Sequence, residues 1–137
     1  MKNKYKTNSD LETQEIGEIF SKEIEAGDVI LLFGDLGAGK TTFVKGLLKG
    51  LKFDGVVTSP TFSLVNEYNA LMNVIHIDCY REKNKQRWIN IGLEDYFNNS
   101  NIVIIEWPEI IMDIIPKNTI KVNLKHIDKT TREVFFS

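Results

Sequence analysis

Cysteine is nearly absent from the chain: Cys79 is the only one among 137 residues. One thiol excludes an internal disulfide framework and a Cys-rich zinc site, and it fits a reducing cytosol. Proline is scarce, at three residues, and no Pro/Gly/Ser-rich tract, repeat or low-complexity run divides the chain. Long hydrophobic runs are missing too. The longest, Val29–Phe33, falls far short of the ~20 residues a membrane span needs. Nothing apolar follows Met1-Lys2-Asn3-Lys4-Tyr5, so neither a signal peptide nor a membrane association is expected. Charge of one sign is not in excess: 17 Lys+Arg against 19 Asp+Glu leave a net charge of −2. Nucleic acid can then be met only through a local patch, and a DNA-binding role is not expected. What is present is ordinary, 42% hydrophobic and 26% charged residues with nine Gly, as in soluble globular proteins. At roughly 100–200 residues per domain, residues 1–137 make one domain, cytoplasmic and large enough to fold without a disulfide or metal.

Ser9 and Glu12 form an S-x-x-E capping box, after which Ile16, Ile19, Phe20 and Ile24 recur at helical spacing until Gly27-Asp28. Val29-Ile30-Leu31-Leu32-Phe33 reads as a strand buried on both faces. A glycine-rich turn leads to a second helical stripe, Val44, Leu47, Leu48 and Leu51, which stops near Gly50–Lys52. Phe62–Tyr68 and Val74–Ile77 read as strands, and the short turn between them, Asn69–Asn73, favours an antiparallel pair. Trp88–Phe97 reads as a helix, Ile102–Ile105 as a central strand, and Pro108 opens a short helix that Pro116 closes. Ile120, Val122 and Leu124 alternate with polar residues, as do Val134 and Phe136, around a turn at Asp128-Lys129. These elements predict an α/β domain, with parallel interior strands and antiparallel margins.

Gly34-Asp35-Leu36-Gly37-Ala38-Gly39-Lys40-Thr41 matches G-x-x-x-x-G-K-[ST] at every fixed position. Chance supplies such a match roughly once in two hundred chains of this length, given the usual glycine frequency. The motif has a physical basis. Glycines let the loop curl so that successive N–H groups surround phosphate oxygens, and the helix N-terminus behind it favours negative charge. Lys40 would reach the β- and γ-phosphates and the Thr41 hydroxyl would ligate Mg²⁺. The match lies between an apolar strand and an amphipathic helix, as the motif requires, and nucleotide binding is the firmest expectation.

A magnesium-dependent phosphate site also needs a carboxylate at the end of a neighbouring strand and a group that positions water. Two apolar strands end in an acid, at Asp78 and at Glu106. Both would lie at the strand carboxyl ends, where open α/β sheets bind ligands. Spacing does not divide the two roles between them. Thr58-Ser59-Pro60-Thr61-Phe62 is either a hydroxyl-bearing switch near the γ-phosphate or a turn built by Ser-Pro. His76, on an apolar strand, reads as a core histidine rather than a ligand, and Cys79 as a packing residue. Trp107 either covers the site or packs beside it.

Together these residues resemble the TsaE family (older name YjeE), the P-loop ATPases of bacterial tRNA threonylcarbamoyladenosine synthesis. The likeness rests on the P-loop through Thr42, then Thr58-Ser59-Pro60-Thr61-Phe62 and Leu64-Val65-Asn66-Glu67-Tyr68. It continues in His76-Ile77-Asp78-Cys79-Tyr80-Arg81, Gly92-Leu93-Glu94-Asp95-Tyr96-Phe97 and Glu106-Trp107-Pro108-Glu109. It runs from about Asp10 to Phe136. The resemblance implies a P-loop NTPase-like three-layer sandwich. It also implies that Thr41 and Glu106 hold Mg²⁺, that Asp78 serves hydrolysis by orienting water, and that Thr61 lies in a switch-like segment. Leu36, Gly37, Ala38, Gly39, Lys40, Thr41 and Thr42 would cradle ATP; Arg132 would contact nucleotide and Asp10 border it. The implied partners are TsaD and TsaB, whose turnover ATP hydrolysis supports, with tRNA reached indirectly through that complex. The stretch Glu82–Ile91 departs from the family, carrying Lys83, Lys85, Arg87 and Trp88 where acidic and Leu-rich residues are usual.

A small nucleotide or metabolite kinase on the same loop is the alternative, but a kinase must close a lid over its acceptor, and this chain carries no arginine-rich insertion for one. A GTP-dependent switch would need N-K-x-D, and Asn84-Lys85-Gln86-Arg87 lacks the aspartate. No arginine finger is identifiable, so slow hydrolysis is expected until a partner completes the site. The clusters Lys83, Lys85, Arg87 and Lys121, Lys125, Lys129, Arg132 read as solvated faces.

Overall fold

A computed structural model describes residues 3–58, 60 and 64–137. Its elements are β1 (Lys4–Thr7), α1 (Asp10–Ser21), β2 (Val29–Phe33), α2 (Lys40–Gly50), β3 (Val65–Asn69), β4 (Asn73–Asp78), α3 (Lys85–Asn90), β5 (Asn101–Glu106), β6 (Ile120–His126) and β7 (Arg132–Phe136), with 3-10 turns at Leu93–Tyr96 and Pro108–Ile111.

The strands form one seven-stranded sheet in the order β1-β7-β6-β2-β5-β4-β3. Its centre is parallel: β2 pairs with β5 and with β6, and β4 with β5. Its margins, β3 on β4 and β7 on β6 and β1, are antiparallel. The apolar runs explain the centre, because β2 and β5 are buried along almost their whole length, as parallel strands covered on both faces must be. Ile30, Leu32, Ile102 and Ile104 face the core under α1 and α2, with Phe43, Leu47 and Leu48. Leu31, Val103 and Ile105 face a second core with Trp88, Leu93 and Ile111. The result is a three-layer sandwich of two long helices, the sheet, and a layer of short helical segments.

In α1, the Ser9 hydroxyl accepts from Glu12 N–H at 3.1 Å. The Glu12 carboxylate returns to the N–H of Asn8 rather than of Ser9, so the capping box closes one residue early. The helix ends at Ser21. Ile24, expected on its stripe, is buried in the following loop, while Ile19 is exposed. α1 and α2 touch backbone to backbone. A Cβ on Gly46 would overlap the Gln14 carbonyl oxygen, and one on Gly17 the Phe43 carbonyl oxygen.

Three expectations need correction. The Trp88–Phe97 helix is two elements, because Gly92, at φ 81°, turns the chain between α3 and the 3-10 turn. The strand expected from Phe62 begins at Val65, after Leu64 at φ 62°; Phe62 itself lies outside the described residues. β1 was not expected as a strand, yet Tyr5 and Thr7 pair with Val134 and Arg132 of β7. Among the described residues no helix is long and apolar enough to cross a membrane.

Candidate functional site

The turn after β2 carries Gly34, Gly37 and Gly39 at positive φ (154°, 82° and 100°). The last two lie in the left-handed region, which costs other residues steric strain. Gly34 is instead needed for space, since a Cβ there would lie 2.6 Å from the Leu124 carbonyl oxygen. Gly39 caps α2, and the loop runs directly into the unpaired amides of that helix. Lys40, the first helical residue, is buried, and its ammonium donates to the Gly34 carbonyl and to the Asp35 carbonyl, the latter at 3.2 Å. The same nitrogen lies 4.6 Å from the Trp107 ring centre.

Two strands bring acids to this loop. β4 and β5 run parallel in a register that sets Asp78 beside Glu106, both at the carboxyl ends. Asp78 is half-buried, with its Oδ1 accepting from Tyr80 N–H at 2.9 Å. Glu106 is only 3% exposed, and its Oε2 lies 2.6 Å from His76 Nε2. Burial pushes the Lys40 ammonium below its ordinary pKa, while Glu106, Asp78, Asp35 and Glu109 pull it back up. Burial raises the Asp78 carboxyl, the Tyr80 N–H opposes it, and the neighbouring Glu106 charge adds to the rise. A partly desolvated cation close enough to two acids to feel their charge is an arrangement that functional sites favour.

These groups line one cleft of about 270 Å³, with Asp10, Leu36, Gly37, Gly39, Lys40, Thr41, Thr42, Asp78, Glu106, Trp107 and Arg132 at its walls. Of the residues singled out from the sequence, Ala38 does not line it; its methyl is buried in the core, while its N–H donates to the Asp35 carbonyl at 3.0 Å. Thr61 lies outside the described residues. Arg132 reaches the cleft from β7, where its Nη1 donates to the Asp128 and Thr131 carbonyls. Its Nε is buried without a partner among the described residues. The oxygen donors of Thr41 and Glu106 suit a hard cation such as Mg²⁺.

The chain matches the family model described as "Threonylcarbamoyl adenosine biosynthesis protein TsaE" over residues 7–134. The chain belongs to the TsaE family. A family member from Bacillus subtilis (strain 168), named tRNA threonylcarbamoyladenosine biosynthesis protein TsaE, is 35% identical over 98% of this chain and 84% of its own length. A Rickettsia typhi protein of the same name is 39% identical over 91% of this chain and 88% of its own. The crystal structure of Bacillus subtilis YdiB superposes with a TM-score of 0.83 at 33% identity, covering 97% of this chain and 82% of that one. The P-loop fold expected from the family is thus the fold of this chain.

One residue escaped prediction as part of the site, and a second was left open. His76 was read as a core residue and is one, at 0% exposure, but it also bonds a site carboxylate. Trp107, left open between cover and packing, does both: it lines the cleft, faces Lys40 and packs at a tilt against the Tyr80 ring, 5.0 Å between centres. The basic stretch after Tyr80 is mostly paired, Lys85 with Asp113 and Arg87 with Glu82, as a solvated face would be. Cys79 is buried, and burial pushes its thiol up to about 12, so it packs rather than reacts.

Proposed function

We propose that the chain acts as one P-loop domain, a magnesium-dependent ATPase of the cytoplasm. It supports the TsaB–TsaD complex in forming N6-threonylcarbamoyladenosine at position 37 of tRNA, which it reaches through those partners. The observation that carries this is the convergence of Lys40, Thr41, Asp78 and Glu106 on one cleft at the mouth of the glycine loop. Family membership supports the pathway, since relatives are named for threonylcarbamoyladenosine biosynthesis.

In this reading each side chain has its own work. The backbone N–H groups from Leu36 to Thr42 bind the phosphates of ATP, with Gly37 and Gly39 allowing the curl. Lys40 exchanges its loop carbonyls for terminal phosphate oxygens, a stronger charge-assisted contact. Thr41 and Glu106 hold Mg²⁺, which when bound offsets phosphate charge. Asp78 orients the attacking water, and Thr61 senses the γ-phosphate from the switch-like segment. Arg132 contacts the nucleotide from β7, and Asp10 borders it at the start of α1.

The test is ATP turnover by the purified chain, with and without Mg²⁺ and with and without TsaB and TsaD. Slow, magnesium-dependent hydrolysis that responds to the partners is expected. Modified tRNA should return when the gene is supplied to a strain lacking it. A fast rate indifferent to metal and partners, or no return of the modification, would overturn the proposal.

A further inference from the structure

His76 is the most completely buried titratable side chain near the cleft, and nothing in the roles above uses it. It stands on β4 two residues before Asp78, so both side chains project from the same face of the sheet. In the β4–β5 register it lies beside Ile104, two residues before Glu106 on β5. The Glu106 side chain therefore reaches back along the sheet, and its Oε2 meets His76 Nε2 at 2.6 Å. His76 is 0% exposed and its Nδ1 has no partner among the described residues. A histidine kept only for packing would be poorly suited here. Along β4 it follows Val74, and across the sheet it stands between Ile104 of β5 and Asn66 of β3; an apolar side chain would sit there without leaving a ring nitrogen unpaired. Among the described residues, the polar contact that repays its presence is the one to Glu106.

We infer that His76 is a positioning residue: its Nε2–H holds one oxygen of the Glu106 carboxylate, leaving Oε1 oriented for the cation of the cleft. This rests on Glu106 as a Mg²⁺ ligand. A carboxylate on a flexible two-carbon stem has several rotamers, and a fixed donor behind it removes that freedom. Outer-shell partners of metal ligands act in this way, and their loss typically weakens metal binding about 10–100-fold.

The experiment measures Mn²⁺ binding by electron paramagnetic resonance to the ADP-loaded full chain. His76→Met keeps the reach of the side chain but removes the donor, whereas His76→Gln restores an N–H near the Nε2 position. Mn²⁺ affinity should fall about 10-fold or more in His76→Met and stay close to wild type in His76→Gln, with metal-free ADP affinity unchanged in both. Unaltered Mn²⁺ binding in His76→Met, or equal losses in the two variants, would overturn the inference. Glu106→Gln separates the two levels: if it binds Mn²⁺ as wild type does, the metal role of Glu106 fails and the role of His76 with it. Loss in Glu106→Gln without loss in His76→Met overturns the positioning role alone. Should both His76 variants fail to fold, the imidazole ¹⁵N spectrum of the unaltered, nucleotide-free chain decides. A proton on Nε2 is expected, and a bare Nε2 would overturn the inference.

Discussion

The ammonium of Lys40 lies 4.6 Å from the centre of the Trp107 ring while it donates to the Gly34 and Asp35 carbonyls. The P-loop cation is thus folded back on its own loop and covered by an aromatic face. Trp107 has φ 54° and ψ 57°, a left-handed conformation that costs a bulky residue about 1–3 kcal/mol. A partly desolvated cation–π contact returns about 0.5–2 kcal/mol. The two terms are of similar size, so a ligand that draws Lys40 off its carbonyls can readily alter how the ring is held.

Tryptophan fluorescence should therefore report nucleotide. The chain has two tryptophans, and Trp88 is fully buried with its Nε1 donating to the Glu82 carbonyl at 3.0 Å. Adding ADP or ATP should change the emission of the wild-type chain and of Trp88→Phe, and leave Trp107→Phe silent. A response that persists in Trp107→Phe would disprove the coupling.

Lys40→Ala should lower ATP turnover about 100-fold or more, the usual scale for losing one preorganised charge at a reacting phosphate or oxyanion. The circular dichroism spectrum should not change, because the Lys40 ammonium bonds to carbonyls of its own loop rather than across the core. Wild-type turnover in this variant would refute the ATPase assignment itself.

Much of this was legible because it is written locally. An apolar run, a glycine loop and an amphipathic helix occupy 29–51 without interruption, and the acids at Asp78 and Glu106 each end their own apolar strand. What escaped depends on partners distant in the chain. β1 reads Lys-Tyr-Lys-Thr, with one apolar side chain, and becomes a strand through its pairing with β7. Gly46 looks like a helix weakener until α1 is laid against it. His76 and Glu106 lie 30 residues apart, and only the parallel register of β4 and β5 brings them together. Gly92 did mark the break in the expected Trp88–Phe97 helix, since a glycine at φ 81° stops the helix.

Asp78→Asn should stabilise the nucleotide-free protein at neutral pH while lowering hydrolysis about 100-fold or more. Burial raises the folded-state pKa of Asp78 above its ordinary value. The folded protein then binds this proton more tightly than the unfolded chain does, so stability is lost as pH rises from the unfolded carboxyl value of about 3.9 through the raised one. Asparagine removes that loss. Thermal melts should show the variant above wild type at pH 7 and the gap closing as pH falls below about 4. A wild type that melts higher than the variant at pH 7 would contradict the cost assigned to this buried charge. The pairing of higher stability with lower activity is what a carboxylate retained for chemistry should show.

Gly46→Ala tests the contact between α1 and α2. Helix propensity alone favours the substitution by about 1 kcal/mol. Against it stands the Gln14 carbonyl oxygen, which a Cβ on Gly46 would overlap. Because the obstacle is backbone in a facing helix, neither side can yield by changing a rotamer, and overpacking of this kind costs about 1–3 kcal/mol or more. The steric term should prevail by up to about 2 kcal/mol, lowering the melting temperature by a few degrees, to about 8 °C at most, for a chain of this size. Gly37→Ala offers the contrast: its Cβ would meet nothing within 4 Å, but the residue has φ 82°. That variant should keep the packing of the two helices and carry only the left-handed penalty of about 1–2 kcal/mol, placed on the phosphate loop. A Gly46→Ala protein that melts at or above wild type would mean that the two helices do not approach as closely as Gly17 and Gly46 permit.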